Sequence, residues 1–183
     1  IMAMTTVRSY WKSQELVMIG VFAAAIKLSS LLIALAGGGM NPVSLLLKNL
    51  VFTTLLIVLL AKIRKSGTLL LFTAVSLIVS VLLMGSSITL LPSQLAGALA
   101  AEVIILLAGG FRRPWAPFIG AAVYDFVGKA FSLGVSFLVM RETPALVISV
   151  IPIILIGYLG SLIGLYSGYK ALQELRHAGI IRS

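Results

Sequence analysis

Apolar residues in this chain are collected into six long runs, separated by short connections that are basic, polar or rich in glycine. The runs cover residues 16–36, 43–61, 68–84, 95–111, 115–139 and 145–169. A helix needs about 20 apolar residues to cross a bilayer, with some tolerance for tilt. The pattern therefore predicts an all-α integral membrane protein in which residues 1–183 form a single domain of six transmembrane helices.

The composition agrees with that prediction. The chain is 60% hydrophobic and only 10% charged, a balance that is not typical of a soluble domain. The first run is interpreted as a retained helix rather than a cleaved signal peptide, because it is long, Lys27 interrupts it and no soluble domain follows.

The basic residues between the runs predict the orientation of the chain. The net charge is +9, but its placement in short clusters indicates membrane topology rather than a nucleic-acid partner. One side of the predicted membrane has 10 basic residues and the other side has only Arg141. The 10 are Arg8, Lys12, Lys62, Arg64, Lys65, Arg112, Arg113, Lys170, Arg176 and Arg182. The positive-inside rule therefore places both termini in the cytoplasm and residues 141–144 outside.

Glycines recur at helical spacing in the sixth run. Gly160, Gly164 and Gly168 lie four residues apart and Gly157 precedes them by three, so all four share one helix face. A face without side chains allows another backbone to approach closely, and in a membrane helix such glycines are tolerated. Two interpretations stay open: a tight helix–helix seam, and a sliding surface on a helix that moves.

Ionisable residues inside the runs are the candidates for a functional site. There are five: Lys27, Lys48, Glu102, Asp125 and Lys129. Each costs at least about 2.5–3.5 kcal/mol at the bilayer centre, so each needs a partner or a wet cavity. Asp125 and Lys129 lie four apart and are expected to pair, and Glu102, expected near mid-membrane, is left to neutralise either Lys27 or Lys48. One cation would then be in surplus.

The surplus charge has a functional and a structural interpretation. In the first, an outward-facing cavity binds a largely apolar ligand through its anionic group, contacted by Lys48 or else Lys129. Asn49 lies beside Lys48, and the apolar lining would come from Met40, Met84 and Met140. In the second, the charges only pair structurally, Lys48 extends to the outer surface, and the methionines are apolar residues at helix ends.

Several kinds of site are missing from the sequence. There is no cysteine and the single histidine, His177, lies in the polar tail, so thiolate and intramembrane histidine metal sites are excluded. Neither a phosphate-binding G-x-x-x-x-G-K-[ST] motif nor an H-E-x-x-H or G-x-S-x-G motif occurs. We therefore expect no catalytic residues, no metal site and no cofactor in this chain.

These features together resemble the substrate-binding S components of energy-coupling factor (ECF) transporters. More narrowly, the chain resembles the Trep_Strep family of ECF S components. The stretches that carry the resemblance are 61–67 (AKIRKSG), Met84-Gly85 and, as the closest, the C-terminal segment 157–181. On the first helix, Gly20 and Ala24 stand where S components have an A-x-x-x-A pattern, a small-for-small departure that keeps the surface flat.

The resemblance implies a receptor for a vitamin or related micronutrient in a prokaryotic cytoplasmic membrane. Such a subunit captures its substrate outside and then topples to deliver it. A separate transmembrane scaffold subunit and two ATPase subunits drive import, and the scaffold contacts the Gly20 and Ala24 surface. The substrate itself stays open among vitamins, tetrapyrroles and metal chelates. The alternative function is an autonomous channel or proton-coupled carrier that uses Glu102 and Asp125 as proton sites.

Overall fold

A computed structural model of the chain describes residues 10–37, 41–84, 91–139 and 144–181, and within these residues all regular structure is helical. The helices are α1 (Ser13–Gly37), α2 (Pro42–Lys62), α3 (Thr68–Met84), α4 (Leu91–Leu107), α5 (Ala116–Val139) and α6 (Pro144–His177). Four of them contain segments long and apolar enough to cross a membrane: Ser13–Gly37, Pro42–Lys62, Ala116–Leu138 and Ile148–His177. The other two, α3 and α4, are shorter apolar helices.

The bounds of α4 and α6 differ from those expected. The apolar run at 95–111 predicts a helix that ends four residues later than α4 does. Gly109 and Gly110 stop it, since both adopt positive φ angles, of 114° and 90°, that are outside the helical region. Conversely, α6 continues past the apolar run to His177, because residues 170–177 are mostly strong helix formers.

Helix α2 lies at the centre of the bundle. It packs against α1, α5 and α6, while α3 packs on α1 and α4, and α4 packs on α5. Every residue from Leu56 to Ala61 is buried, so this part of α2 is covered on all sides. Side chains of the other helices complete the core around it, among them Ile19, Phe72, Ile105 and Ala121.

Most of the basic residues lie at one end of the bundle, as the contacts between helix ends show. Lys65 Nζ lies 2.6 Å from Glu15 Oε2, which ties the start of α1 to the connection between α2 and α3. The rings of Phe118 and Tyr169, 6.1 Å apart, bring the start of α5 to the last part of α6. We call this the basic end: α1, α3 and α5 begin there, and α2, α4 and α6 end there.

The glycine face of α6 lies directly against α2. A Cβ atom added to Gly160 would be 2.5 Å from the carbonyl oxygen of Leu46, and one added to Gly164 would be 2.8 Å from Thr53 Cβ. Gly168 meets Ile57 in the same way, at 2.6 Å. Gly157 is less crowded, with its nearest neighbour, Asn49 Nδ2, at 3.2 Å. The four glycines therefore form a tight helix–helix seam, the first of the two interpretations that their spacing allowed.

Candidate functional site

The site is built around an ion pair on α5. Lys129 Nζ lies 2.5 Å from Asp125 Oδ2, as their spacing of four residues predicts. Lys129 Nζ also donates to Ser161 Oγ at 3.2 Å, and it lies 5.8 Å from the centre of the Tyr158 ring. Asp125 is only 8% exposed, so its carboxylate would be buried without a counter-ion if the Lys129 ammonium group were absent. Lys129 therefore already has a counter-ion within the protein.

A cavity of about 260 Å³, with several polar side chains in a mostly apolar wall, opens beside this pair. All helices except α6 supply its lining, which consists of Lys27, Asn49, Phe52, Ser76, Ser93, Gln94, Tyr124, Asp125, Gly128, Lys129 and Ser132. Measured along α2 and α4, the cavity lies between the middle of the bundle and the end opposite the basic end. We call it the main cavity.

A smaller cavity of about 180 Å³ adjoins the main cavity. Ile26, Lys27 and Ser30 of α1 and Lys48, Asn49 and Phe52 of α2 line it. Lys27, Asn49 and Phe52 belong to both cavities, so these three side chains form the boundary between them. We call the smaller space the side cavity.

Two cations of these cavities have no protein partner in the described part of the chain. Lys27 faces both cavities and Lys48 faces the side cavity, and neither forms a hydrogen bond or ion pair with another described residue. Asn49, between them, donates through Nδ2 to the Leu45 carbonyl oxygen at 2.8 Å. Among the described residues, Lys27 and Lys48 are therefore both left without a counter-ion, where a single surplus cation was expected.

The second unpaired lysine is explained by Glu102. The expectation that Glu102 neutralises Lys27 or Lys48 is wrong, because its carboxylate binds elsewhere. Its two carboxylate oxygens accept hydrogen bonds from the backbone N–H groups of Gly67 and Leu70, each at 3.1 Å. It therefore caps the first turn of α3, where unpaired N–H groups favour an anion. On α4, Glu102 lies about 8 Å of helix before the end at Leu107, on the side of the basic end.

The remaining predicted ligand-contacting residues are methionines, and the structure does not test them. Met40 and Met140 lie outside the described residues, and the side chain of Met84 is not among those described. No methionine lines either of the two cavities as described.

Sequence reasoning missed most of the uncharged polar lining. Ser76, Gln94, Tyr124 and Ser132 all face the main cavity, and Tyr124 also shares a hydrogen bond with Thr73, with the two hydroxyl oxygens 3.2 Å apart. One signal was available on α5, where residues 125, 128, 129 and 132 follow the helical period and all four line the cavity. The serines on α3 and α4 give no comparable pattern, because hydroxyls are common in membrane helices.

The small residues of α1 lie elsewhere. A Cβ atom added to Gly20 would meet nothing within 4 Å, and Ala24 is half-buried. Val17 and Val21, on the same side of the helix, are 65% and 59% exposed. Gly20 and Ala24 therefore belong to an apolar surface that the described residues leave uncovered, and neither lines the cavities.

The arrangement is chemically suited to binding. Unpaired ammonium groups attract anions strongly where apolar helices keep the effective dielectric low, and hydroxyl and amide groups add directional hydrogen bonds. Among the described residues, no group of three or more His, Cys, Asp or Glu side chains could hold a metal ion.

Comparison with known proteins identifies a family. No curated protein and no solved structure matches the chain. The sequence model of the family described as "Hypothetical bacterial integral membrane protein (Trep_Strep)" matches residues 13–143. The match ends before the segment 157–181, so it does not support the expectation that this segment carries the closest resemblance. Since the match covers well over half of the 183 residues, the chain belongs to the Trep_Strep family of bacterial integral membrane proteins.

Proposed function

We propose that this membrane protein is the substrate-binding S component of an ECF-type importer, which captures a vitamin or a related micronutrient and topples to deliver it. The observation that carries the proposal is the pair of cavities between the apolar helices, which are lined by Lys27, Lys48, Asn49 and the Asp125–Lys129 pair. A bundle that only spans the membrane gains nothing from burying these charges, each of which is costly there.

The location of the cavities agrees with capture from outside. If the basic end faces the cytoplasm, as the positive-inside rule requires, the cavities lie in the outer half of the membrane. Asn49 is seven residues from the start of α2 at Pro42, or about 10 Å along the helix axis. A substrate entering from outside therefore needs to pass only a short distance to reach the unpaired lysines.

The partners in this proposal are a transmembrane scaffold subunit and two ATPase subunits. The sequence contains no phosphate-binding loop, so ATP hydrolysis would take place in those partners. The uncovered surface at Gly20 and Ala24 is the surface that we assign to the scaffold, because small side chains let a partner helix approach closely. The ligand would be largely apolar and carry a negative group that meets the unpaired lysines.

The deciding experiment measures whether uptake depends on partners. The chain is reconstituted into liposomes alone and together with its co-expressed ATPase module, and small molecules that copurify are identified by mass spectrometry and supplied as labelled substrate. We expect binding without accumulation for the chain alone, and ATP-dependent accumulation for the complex.

Accumulation by the chain alone, driven by a pH gradient, would contradict this proposal and favour a proton-coupled carrier. Such a carrier would have to use Asp125 and Glu102 as separate proton sites, since Glu102 lines neither of the two cavities.

A further inference from the structure

We infer that the two cavities bind an organic dianion, whose two negative charges are held by Lys27 and Lys48. This inference rests on the proposed function in one respect, namely that the cavities are the substrate site. It differs from a simple preference for anions in specifying two charges, and in assigning them to two residues on different helices.

The charged residues around the cavities support a ligand with two negative charges. Their charged lining residues among those described are Lys27, Lys48, Lys129 and Asp125. Asp125 is already neutralised by Lys129, with their charged atoms 2.5 Å apart. The other intramembrane carboxylate, Glu102, is bound to backbone N–H groups at the start of α3. Two positive charges therefore remain without a counter-ion from the described part of the protein.

The arrangement of the two lysines shows how one ligand could meet both. Lys48 and Lys27 lie on facing helices and both line the side cavity, with Asn49 and Phe52 at its border with the main cavity. An acidic end placed in the side cavity would contact both ammonium groups. The body of the ligand would extend past Phe52 into the main cavity.

The main cavity indicates the character of that body. Ser76, Gln94 and Ser132 provide hydrogen-bonding groups. The rings of Phe52 and Tyr124, tilted to one another with centres 5.7 Å apart, provide apolar contact. An aromatic or cyclic body with a few polar substituents would satisfy both kinds of lining.

Electrostatics explains why a dianion is favoured over a monoanion. Two like charges close together between apolar helices repel one another, and partial burial removes some of the water that would otherwise stabilise each of them. A monoanion would neutralise one lysine and leave the second unpaired. A dianion removes both costs, so its affinity should exceed that of a matched monoanion through the second lysine.

The test uses matched aromatic probes and the full chain in neutral detergent. Isophthalate carries two negative charges, benzoate carries one, and trimethylanilinium carries a positive charge on the same ring. Dissociation constants are measured by calorimetry or by protection against thermal unfolding. We expect isophthalate to bind about tenfold to a hundredfold more tightly than benzoate, and trimethylanilinium not to bind.

Variants then assign the preference to the two lysines. Lys27→Met and Lys48→Met should each remove the preference for isophthalate over benzoate, and the double variant should bind neither anion. Lys27→Arg keeps the charge and should restore the preference, which separates loss of charge from misfolding. Lys170→Met is the matched control, because Lys170 is exposed on α6 and lies outside both cavities, and it should bind like the parent.

Three outcomes would overturn the inference: no binding of isophthalate by the parent, equal affinity for isophthalate and benzoate, or an unchanged preference in both methionine variants. Any of these outcomes could occur while ATP-dependent uptake persists in the complex. In that case the proposed importer function stands, and the inference that its ligand is a dianion is rejected. Dianion binding that depends on both lysines, without any ATP-dependent uptake, would support the site and reject the importer.

Discussion

Gly160 and Leu46 bring the backbones of α6 and α2 into contact, since a Cβ atom on Gly160 would lie 2.5 Å from the Leu46 carbonyl oxygen. Three residues away on each helix, Gly157 and Asn49 continue the seam to the wall of the cavities. Gly157 also approaches Lys129 of α5, with its added Cβ 3.4 Å from Lys129 Cε. The glycine seam and the main cavity therefore share a boundary, and the close approach of α6 helps to position Lys129.

We predict that Gly160→Ala destabilises the protein. The added methyl group would collide with backbone, which cannot rotate away, so the helices must separate at a cost of about 1–3 kcal/mol. Thermal unfolding in detergent measures the effect. Gly134→Ala is the control, because an added Cβ there meets nothing within 4 Å and alanine favours the helix. Equal stability of the two variants would show that the seam is looser than the structure has it.

We predict that Glu102→Gln weakens the start of α3. Glutamine has one acceptor oxygen instead of two, so one of the N–H groups of Gly67 and Leu70 would face another donor. The expected loss of unfolding free energy is about 1–3 kcal/mol, because the site is buried. Glu174→Gln, at an exposed position on α6, should leave stability unchanged. If Glu102→Gln keeps full stability but loses a proton-driven uptake activity, the carrier is the better function.

We predict that Asp125→Asn is more harmful than removal of the whole ion pair. The single change leaves the Lys129 charge with only neutral hydrogen-bond partners, Ser161 and the new amide, among the described residues. Breaking a buried ion pair typically costs about 3–5 kcal/mol. Asp125→Asn combined with Lys129→Met removes both charges and should recover part of that loss. A double-mutant cycle of thermal or chemical unfolding measures the coupling. Additive effects would show that the pair contributes nothing to stability.

We predict that Ala24→Trp abolishes uptake by the assembled complex while the isolated chain still binds its ligand. The reason is that a bulky side chain would hold a partner helix away from the uncovered surface of α1, yet this surface lies outside the cavities. Uptake and ligand affinity are measured separately on the same variant. Loss of binding by the isolated chain would mean that Ala24 serves internal packing.

We predict that a reporter fused at Ser183 behaves as cytoplasmic and that a tag in the 141–144 connection is accessible from outside. The reason is the concentration of basic residues at one end of the bundle. Alkaline phosphatase and green fluorescent protein fusions distinguish the two sides. An external Ser183 reporter would place the cavities on the cytoplasmic side and contradict capture from outside.

Local patterns of the chain were sufficient for the helices and for contacts one turn apart. The ends of α1, α2, α3 and α5 lie within three residues of the apolar runs that predict them. The Asp125–Lys129 pair follows from spacing on one helix. These features depend on consecutive residues, and hydropathy and the helical period are properties of consecutive residues.

Partners on different helices could not be predicted in the same way. Glu102 had plausible lysine partners by charge, but the packing of α4 on α3 brings its carboxylate to the backbone N–H groups at the first turn of α3. As a result, two cations, Lys27 and Lys48, have no counter-ion in the part of the chain that the structure describes, where one was expected. Charge balance alone ignores backbone N–H groups, which compete well for a carboxylate at a helix start.

The sequence by itself therefore determined that the protein is a helical membrane protein, where its helices run, and that α6 presents a glycine face. Only the tertiary structure decided that α2 receives this face, that Lys27 and Lys48 share a cavity, and that Glu102 lies outside it. The physical reason is that close packing selects among many neighbours of similar hydrophobicity, and that selection depends on shape across the whole bundle rather than on any one segment.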